Sequence, residues 1–301
     1  PLRLVGSEMC IRDRSIDCGA FFYYPAAVGA GLEVAQLSID YSDTGLGRTT
    51  DYDSALDARL LYPIARVRAR QAQGTVLGFV GCDLWTAYEL SWLNGQGLPQ
   101  SAIAEFSVPC DSPNIVESKS VKLYLNSYHQ HVEPSWSTLQ SRLRDDLSSA
   151  TGGGVEVSLY TLDDYHRQRP TSEPEGHCLD RRQVSINAYT PDADLLGLDV
   201  DRDVDRDGDR DGDRDGDREL DTDTESEIEE TLYSHLLRSN CPVTNQPDWA
   251  SVYIVYRGAP IDRDGLLAYL VSYRQHQDFH EQCVEQILSL IHISEPTRRR
   301  G

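Results

Sequence analysis

Two octapeptides, LYLNSYHQ at 123–130 and AYLVSYRQ at 268–275, constrain this chain more than any other feature. They share Tyr, Leu, Ser, Tyr and Gln at a constant offset of 145 residues. A match of this kind implies a duplicated structural unit. The segments around the first copy give its order. SAIAEFSVPC (Ser101 to Cys110) alternates as a strand. In ESKSVKLYLNSYHQ, Val121, Leu123, Tyr124, Leu125 and Tyr128 form a helical apolar face. SWSTLQSRLRDDLSSATGGG adds a second helix. Its Leu139, Leu143 and Leu147 recur every four residues, and the glycines at 152–154 stop it. VEVSLYTL and QVSINAY predict two further strands. The second copy has a strand in WASVYIVYRG, a helix in GLLAYLVSYRQHQ and the opening of another in DFHEQCVEQI, where it stops. ETLYSHLLRSN fits helix and strand periods equally. The expected class is α+β: a strand–strand–helix–helix–strand–strand unit in tandem, with the second copy incomplete.

The first unit is expected over 43–190 and the second over 231–287. Between them, 199–230 holds 12 Asp and 5 Glu against 5 Arg, more than half of the chain's net charge of −21. DRDGDRDGDRDGDR within it has no apolar residue and cannot offset its ordering entropy, so a disordered insert is expected. It imitates the start of a calcium loop at Asp203, Asp205, Asp207 and Gly208. The closing Glu is missing in every frame: the twelfth position is Arg214, Arg218 or Thr222. VGSEMCIRDR (Val5 to Arg14) and LSLIHISEPTRRR (Leu288 to Arg300) resemble translated sequencing-adapter tails. Segments 1–14 and 288–301 are therefore set aside, with the natural protein expected to be cut at both ends.

Composition narrows the function classes. No apolar run reaches the ~18 residues a membrane span needs, and no cleavable leader is evident. The seven cysteines are scattered singly, which suits reduced thiols in a cytoplasm. No basic stripe is present, which argues against direct nucleic-acid binding.

The chemistry concentrates in SNCPVTNQPDW (239–249). Pro242 and Pro247 exclude a helix, so Cys241 and Asp248 are expected on a loop ahead of a strand. A thiol titrates near ~8.5, and a neighbouring carboxylate can take its proton as the sulfur attacks. A loop cysteine of no consequence fits the same residues. His280, Glu281 and Cys283 in FHEQC allow two further readings. With His235 and Cys241 they would make a His/Cys zinc site, although without strong zinc spacing. Alternatively, the Glu281 carboxylate could accept the ring N–H and exocyclic NH2 of a guanine-like edge, work that Glu117 could share. No G-x-G-x-x-G or P-loop is present, so a nucleotide cofactor would be held without a Rossmann fold.

ESKSVKLYLNSY, SNCPVTNQPDW and FHEQCVEQI together resemble the signature blocks of the NADPH-dependent 7-cyano-7-deazaguanine reductases of the long two-module type. LGRTTDYDSALDARLLYPIAR and DLWTAYELSWLNGQGLPQ resemble them too. The resemblance implies the tunnelling fold (T-fold), antiparallel sheets with two helices packed on one face, in tandem. It implies reduction of the nitrile of 7-cyano-7-deazaguanine to an amine in tRNA queuosine biosynthesis, with NADPH as cofactor and no metal. Cys241 would be the nucleophile forming a thioimide, and Asp248 the proton donor. Val116, Glu117, Ser118, His280 and Glu281 would hold the substrate, and Ser118 and Lys119 the cofactor. ETLYSHLLRSN would be a strand, and a homodimer is expected. The family's basic segment beyond the last helix has no counterpart in this reading. Two other classes remain open: a zinc-dependent T-fold hydrolase resembling GTP cyclohydrolase, and a scaffold whose acidic insert binds basic partners.

Overall fold

The computed structural model describes residues 2–7, 16–23, 55–74, 78–168, 175–197 and 228–294. Most of the acidic insert falls outside them. The elements run β1 (Leu2–Ser7), β2 (Ile16–Tyr23), β3 (Pro63–Ala65), α1 (Arg66–Gln73), β4 (Val80–Leu93), β5 (Pro99–Pro109), β6 (Asn114–Val116), α2 (Ser118–Asn126), α3 (Trp136–Thr151) and β7 (Glu156–Tyr160). They continue with α4 (Leu162–Gln168), β8 (His177–Cys178), β9 (Ile228–Asn240), β10 (Pro247–Gly258), α5 (Arg263–Ser272) and α6 (His280–Ser294). One sheet takes the order β7-β5-β4-β2-β1-β10-β9-β8, and β3 pairs with β6 apart from it. All ladders are antiparallel except the short β8–β9 pair. The α+β class and the tandem T-fold arrangement hold. No helix among the described residues is long and apolar enough to cross a membrane.

Each hairpin carries its own core. Under β4 and β5, Leu139, Leu143 and Leu147 of α3 and Val121, Tyr124, Leu125 and Tyr128 from the α2 region meet Trp85, Trp92 and Phe106. Under β9 and β10, Leu266, Tyr269 and Leu270 of α5 and Val284 and Ile287 of α6 meet Leu232, Val252 and Ile254. Helix α3 ends where its glycines predict. Gly152 caps it at φ 73, and a Cβ there would sit 3.1 Å from Pro113.

The duplication extends to individual hydrogen bonds. The hydroxyls of Tyr124 and Tyr128 lie 2.9 Å apart, and those of Tyr269 and Tyr273 lie 2.7 Å apart. Ser127 and Ser272 each donate to the carbonyl three residues back, both at 2.6 Å. His131 meets Tyr128 edge-on, as His276 meets Tyr273. Leu93 N donates to His131 O at 2.9 Å, and Asn240 N donates to His276 O at 2.8 Å.

One expected strand is absent, and the segment left open by period is the strand that the resemblance implies. ETLYSHLLRSN lies in β9. Its ladder slips between Ala250 and Val252, so the buried positions run Leu232, Ser234, Leu237, Ser239. One extra residue at that bulge turns a period of two into spacing a helix would also give. β4 carries the same irregularity between Ala87 and Leu90. QVSINAY, expected as a strand, forms no ladder. Its side chains alternate in exposure, but β9 pairs with His177 and Cys178 instead. Alternation reports burial on one face and says nothing about a backbone partner.

Residues set aside as tails also take places in the structure. Helix α6 runs past Ile287 to Ser294, burying Leu288, Ser289 and Ile291. The apolar spacing continues across the boundary that the tail resemblance drew. Strand β1 pairs with β10 along Trp249–Ile254, on the side where β5 receives β7. The side of β10 away from β9 is therefore paired. An edge strand's exposed N–H and C=O groups accept such an addition readily.

Tyr273→Phe tests the packing of the second unit. It removes the hydroxyl that donates to Gln286 Oε1 at 2.9 Å and leaves Tyr269 with one partner fewer. The expected cost is about 1–3 kcal/mol in urea unfolding. An unchanged midpoint would contradict the buried chain of hydroxyls.

Candidate active site

Cys241 opens the turn between β9 and β10. Its N–H donates to Gln246 O at 2.8 Å, and its carbonyl accepts from Asn245 N at 3.0 Å. Asn245 takes φ 55, a left-handed conformation that Asn tolerates. Asp248 lies across the ladder from Ser239, so the strand pair carries the carboxylate back beside the turn. Cys241 and Asp248 are both partly exposed.

The start of α6 is tied to this turn. Asn240 N donates to His276 O at 2.8 Å, and Asp278 N returns a bond to Asn240 O at 3.1 Å. Gln277 Nε2 reaches Asn245 Oδ1 at 2.9 Å. The next residues are His280 and Glu281. The His280 ring hydrogen-bonds the backbone of Asp248. Its Nε2 is buried without a partner, which leaves Nδ1 to make that bond. Burial pulls the His280 pKa down to about 4, and the bond to Asp248 opposes this only in part. The ring is therefore neutral at pH 7, with Nε2 as an acceptor. Glu281 is only 5 % exposed in the first turn of α6, where the helix dipole favours a carboxylate. Cys241, Asp248, His280 and Glu281 thus gather at one corner of the second unit.

Val116, Glu117, Ser118 and Lys119 gather at the start of α2. Glu117 caps that helix, its two oxygens accepting from Lys119 N at 2.7 Å and Ser120 N at 2.8 Å. A cap of this kind contributes about 1 kcal/mol. Sequence reasoning saw a carboxylate for a ligand edge and missed this backbone role. Val116 is buried, while Ser118 and Lys119 are partly exposed in the first helical turn. A helix N-terminus beside a lysine suits a phosphate group. The two clusters are linked through β3 and α1. Glu117 N donates to Tyr62 O at 3.0 Å, and Arg66 then bonds Glu285 of α6 at 3.0 Å. Arg66, Arg70, Asp83 and Glu285 did not stand out in the sequence. The one available signal was the four-residue spacing of Arg66 with Arg70 and of Glu281 with Glu285.

The metal reading gains no geometry. Among the described residues no three His, Cys, Asp or Glu side chains are grouped to hold an ion. Cys283 is fully buried in the second core, and burial, then Asp278, pushes its thiol pKa up. His235 Nδ1 pairs with Ser251 Oγ at 2.6 Å.

The duplicated T-fold, matched by two family models, places this chain in the nitrile reductase class. The family model described as "Nitrile reductase, 7-cyano-7-deazaguanine-reductase N-term" matches residues 52–159. One described as "QueF-like protein" matches residues 247–300, through the segment set aside as a tail. The NADPH-dependent 7-cyano-7-deazaguanine reductase of Cupriavidus pinatubonensis is 48% identical over 246 residues, 80% of each chain. The enzymes of that name from Bordetella avium and Burkholderia ambifaria are 46% identical over 248 residues and 45% over 256. They cover 82% of each chain, and 84% of this chain with 85% of the relative. The chain belongs to the family of NADPH-dependent 7-cyano-7-deazaguanine reductases.

The depressed His280 pKa fixes a sign. The unfolded chain binds a proton at this ring near pH 6.5, and the folded one only near pH 4. Its contribution to stability is present above pH 6.5 and is lost as pH falls toward 4. His280→Asn should flatten the stability profile across that window by on the order of 3 kcal/mol. Parallel profiles for wild type and variant in urea unfolding would contradict the assignment.

Proposed function

We infer that this chain reduces the nitrile of 7-cyano-7-deazaguanine to the aminomethyl group, with NADPH as reductant, in the route to queuosine. The convergence of Cys241, Asp248, His280 and Glu281 carries the reading of the site. In it, Cys241 Sγ adds to the nitrile carbon. One bond of the C≡N triple bond becomes an N–H bond, and the product is a thioimide. Asp248 takes the thiol proton and returns it to nitrogen. NADPH supplies two hydrides in succession when bound. Of two further protons, one completes the amine and one returns to sulfur, the C–S bond breaking between the two hydride additions to release the cysteine.

The remaining residues recognise and orient. Glu281 accepts the N–H groups on the guanine-like edge of the substrate, and the neutral His280 offers Nε2 as an acceptor. Val116 gives an apolar wall, and the helix start at Glu117 and Ser118 closes the other side. Ser118 and Lys119 hold the cofactor, and the lysine charge suits a phosphate. No metal takes part in this scheme. The protein works as a homodimer in the cytoplasm, without direct contact with nucleic acid or membrane. Its acidic balance and singly scattered thiols support that setting, and the outer strands β7 and β8, each paired on one side among the described residues, support assembly across subunits.

Intact-protein mass spectrometry with the nitrile and no reductant tests the covalent step. Wild type should gain the mass of one substrate, and Cys241→Ala should gain none. Asp248→Asn should form the adduct about 10²–10⁴-fold more slowly. An adduct on Cys241→Ala would move the nucleophile elsewhere, and a normal rate in Asp248→Asn would remove that residue from proton transfer.

A further inference from the structure

Arg66 is only 2 % exposed and lies between the two halves of the site. Its guanidinium bonds Asp83 at the start of β4, Glu285 Oε1 of α6 at 3.0 Å and Ser112 Oγ at 3.2 Å. Arg70, one turn further along α1, donates to both oxygens of Glu285 at 2.7 Å and to Cys110 O at 2.6 Å. Burial works against the charge on Arg66, but Asp83 and Glu285, with Glu281 beyond them, hold the guanidinium firmly protonated. Breaking one member of such a buried set leaves an uncompensated charge, so the set holds or fails as a unit.

The position of this set matters more than its strength. The backbone on either side of Arg66 grips the motif of the first unit. Arg66 N donates to Pro113 O at 3.0 Å, and Tyr62 N donates to Ser120 Oγ at 3.0 Å. Pro63–Ala65 pair with Asn114–Val116 in a ladder that ends one residue before Glu117. Asp83 shares a pocket wall with Val116 and Val121. On the other side, Glu285 lies one turn after Glu281 on the same helix. The guanidinium therefore fastens the α2 start of the first unit to the α6 start of the second.

We propose that Arg66 is a positioning residue for substrate recognition, acting through Glu285 as an inter-unit lock that sets the Val116–Lys119 segment against His280 and Glu281. Cys241 and Asp248 belong wholly to the second unit and are held by the Asn240–His276 and Asn240–Asp278 bonds. Loss of the lock should therefore weaken binding and spare the covalent step. The kinetic part rests on the function proposed above; the structural part does not.

Two measurements on Arg66→Met test it. In hydrogen exchange, amides of 116–120 and of 281–285 should lose protection together, while those of Trp136–Thr151 keep theirs. Loss on one side only, or on neither, would overturn the lock whatever the enzyme does. In adduct formation, the concentration of nitrile giving half-maximal rate should rise at least about tenfold, with the saturating rate within about threefold of wild type. A fall in the saturating rate, or no change in the half-maximal concentration, would overturn the positioning role. Should Arg66→Met fail to fold, Glu285→Gln keeps the side-chain shape and is read by the same two criteria. An absence of adduct in wild type would count against the proposed function and leave the exchange result to decide the lock.

Discussion

The site depends on a two-bond bridge at the end of β9. Asn240 gives its N–H to His276 and takes one from Asp278. Each bond contributes only about 1 kcal/mol net, yet together they fix where the chain turns into α6. Without them the Cys241 turn would be a hairpin tip and His280 a residue on a loop. With them, the Cys241 turn lies beside the first turn of α6, and His280 reaches the backbone of Asp248. The same bridge recurs in the first unit, where Leu93 bonds His131 and Glu133. It belongs to the fold and is present in both copies.

The other copy shows what was exchanged. The hairpin turn of the first unit opens at Asn94, whose N–H bonds Leu98 O as Cys241 N bonds Gln246 O. Asn94 spends its side chain on capping that turn. Ser135 and Trp136 stand where the second unit has His280 and Glu281, and there they cap α3 and pack against Trp92. The reverse holds for the recognition motif. Asp262 caps α5 where Glu117 caps α2, but Arg263 and Asp264 replace Ser118 and Lys119. Arg263 is taken up by Glu230 and Asp264 by Arg182. The two units share one backbone frame and differ in the side chains set on it.

Much of this was legible in the chain, for reasons that can be stated. The helices α2, α3, α5 and α6 follow from apolar spacing and from the stop at Gly152. The Tyr–Ser–Tyr match exposed the duplication because the hydroxyl pair is a packing requirement at both places. Strand β9 was not decidable, because its bulge shifts the burial period midway. QVSINAY misled because an alternating surface needs no ladder. The roles that escaped are those set by backbone or by distance. Glu117 reads as a ligand group in sequence, and only the structure shows both oxygens on helix N–H groups. Arg66 and Glu285 are 219 residues apart, and nothing local marks them as partners.

The central claim is that one site is built from both units, with covalent chemistry in the second and part of recognition in the first. A crystal structure of the Cys241 adduct with 7-cyano-7-deazaguanine tests it most directly. The account predicts a bond from Sγ to the former nitrile carbon, with the base edge on Glu281. It also predicts contact between the ring and the Val116–Ser118 segment of the same chain or of a partner subunit. A ring held by residues of the second unit alone, with that segment turned away from it, would contradict the account.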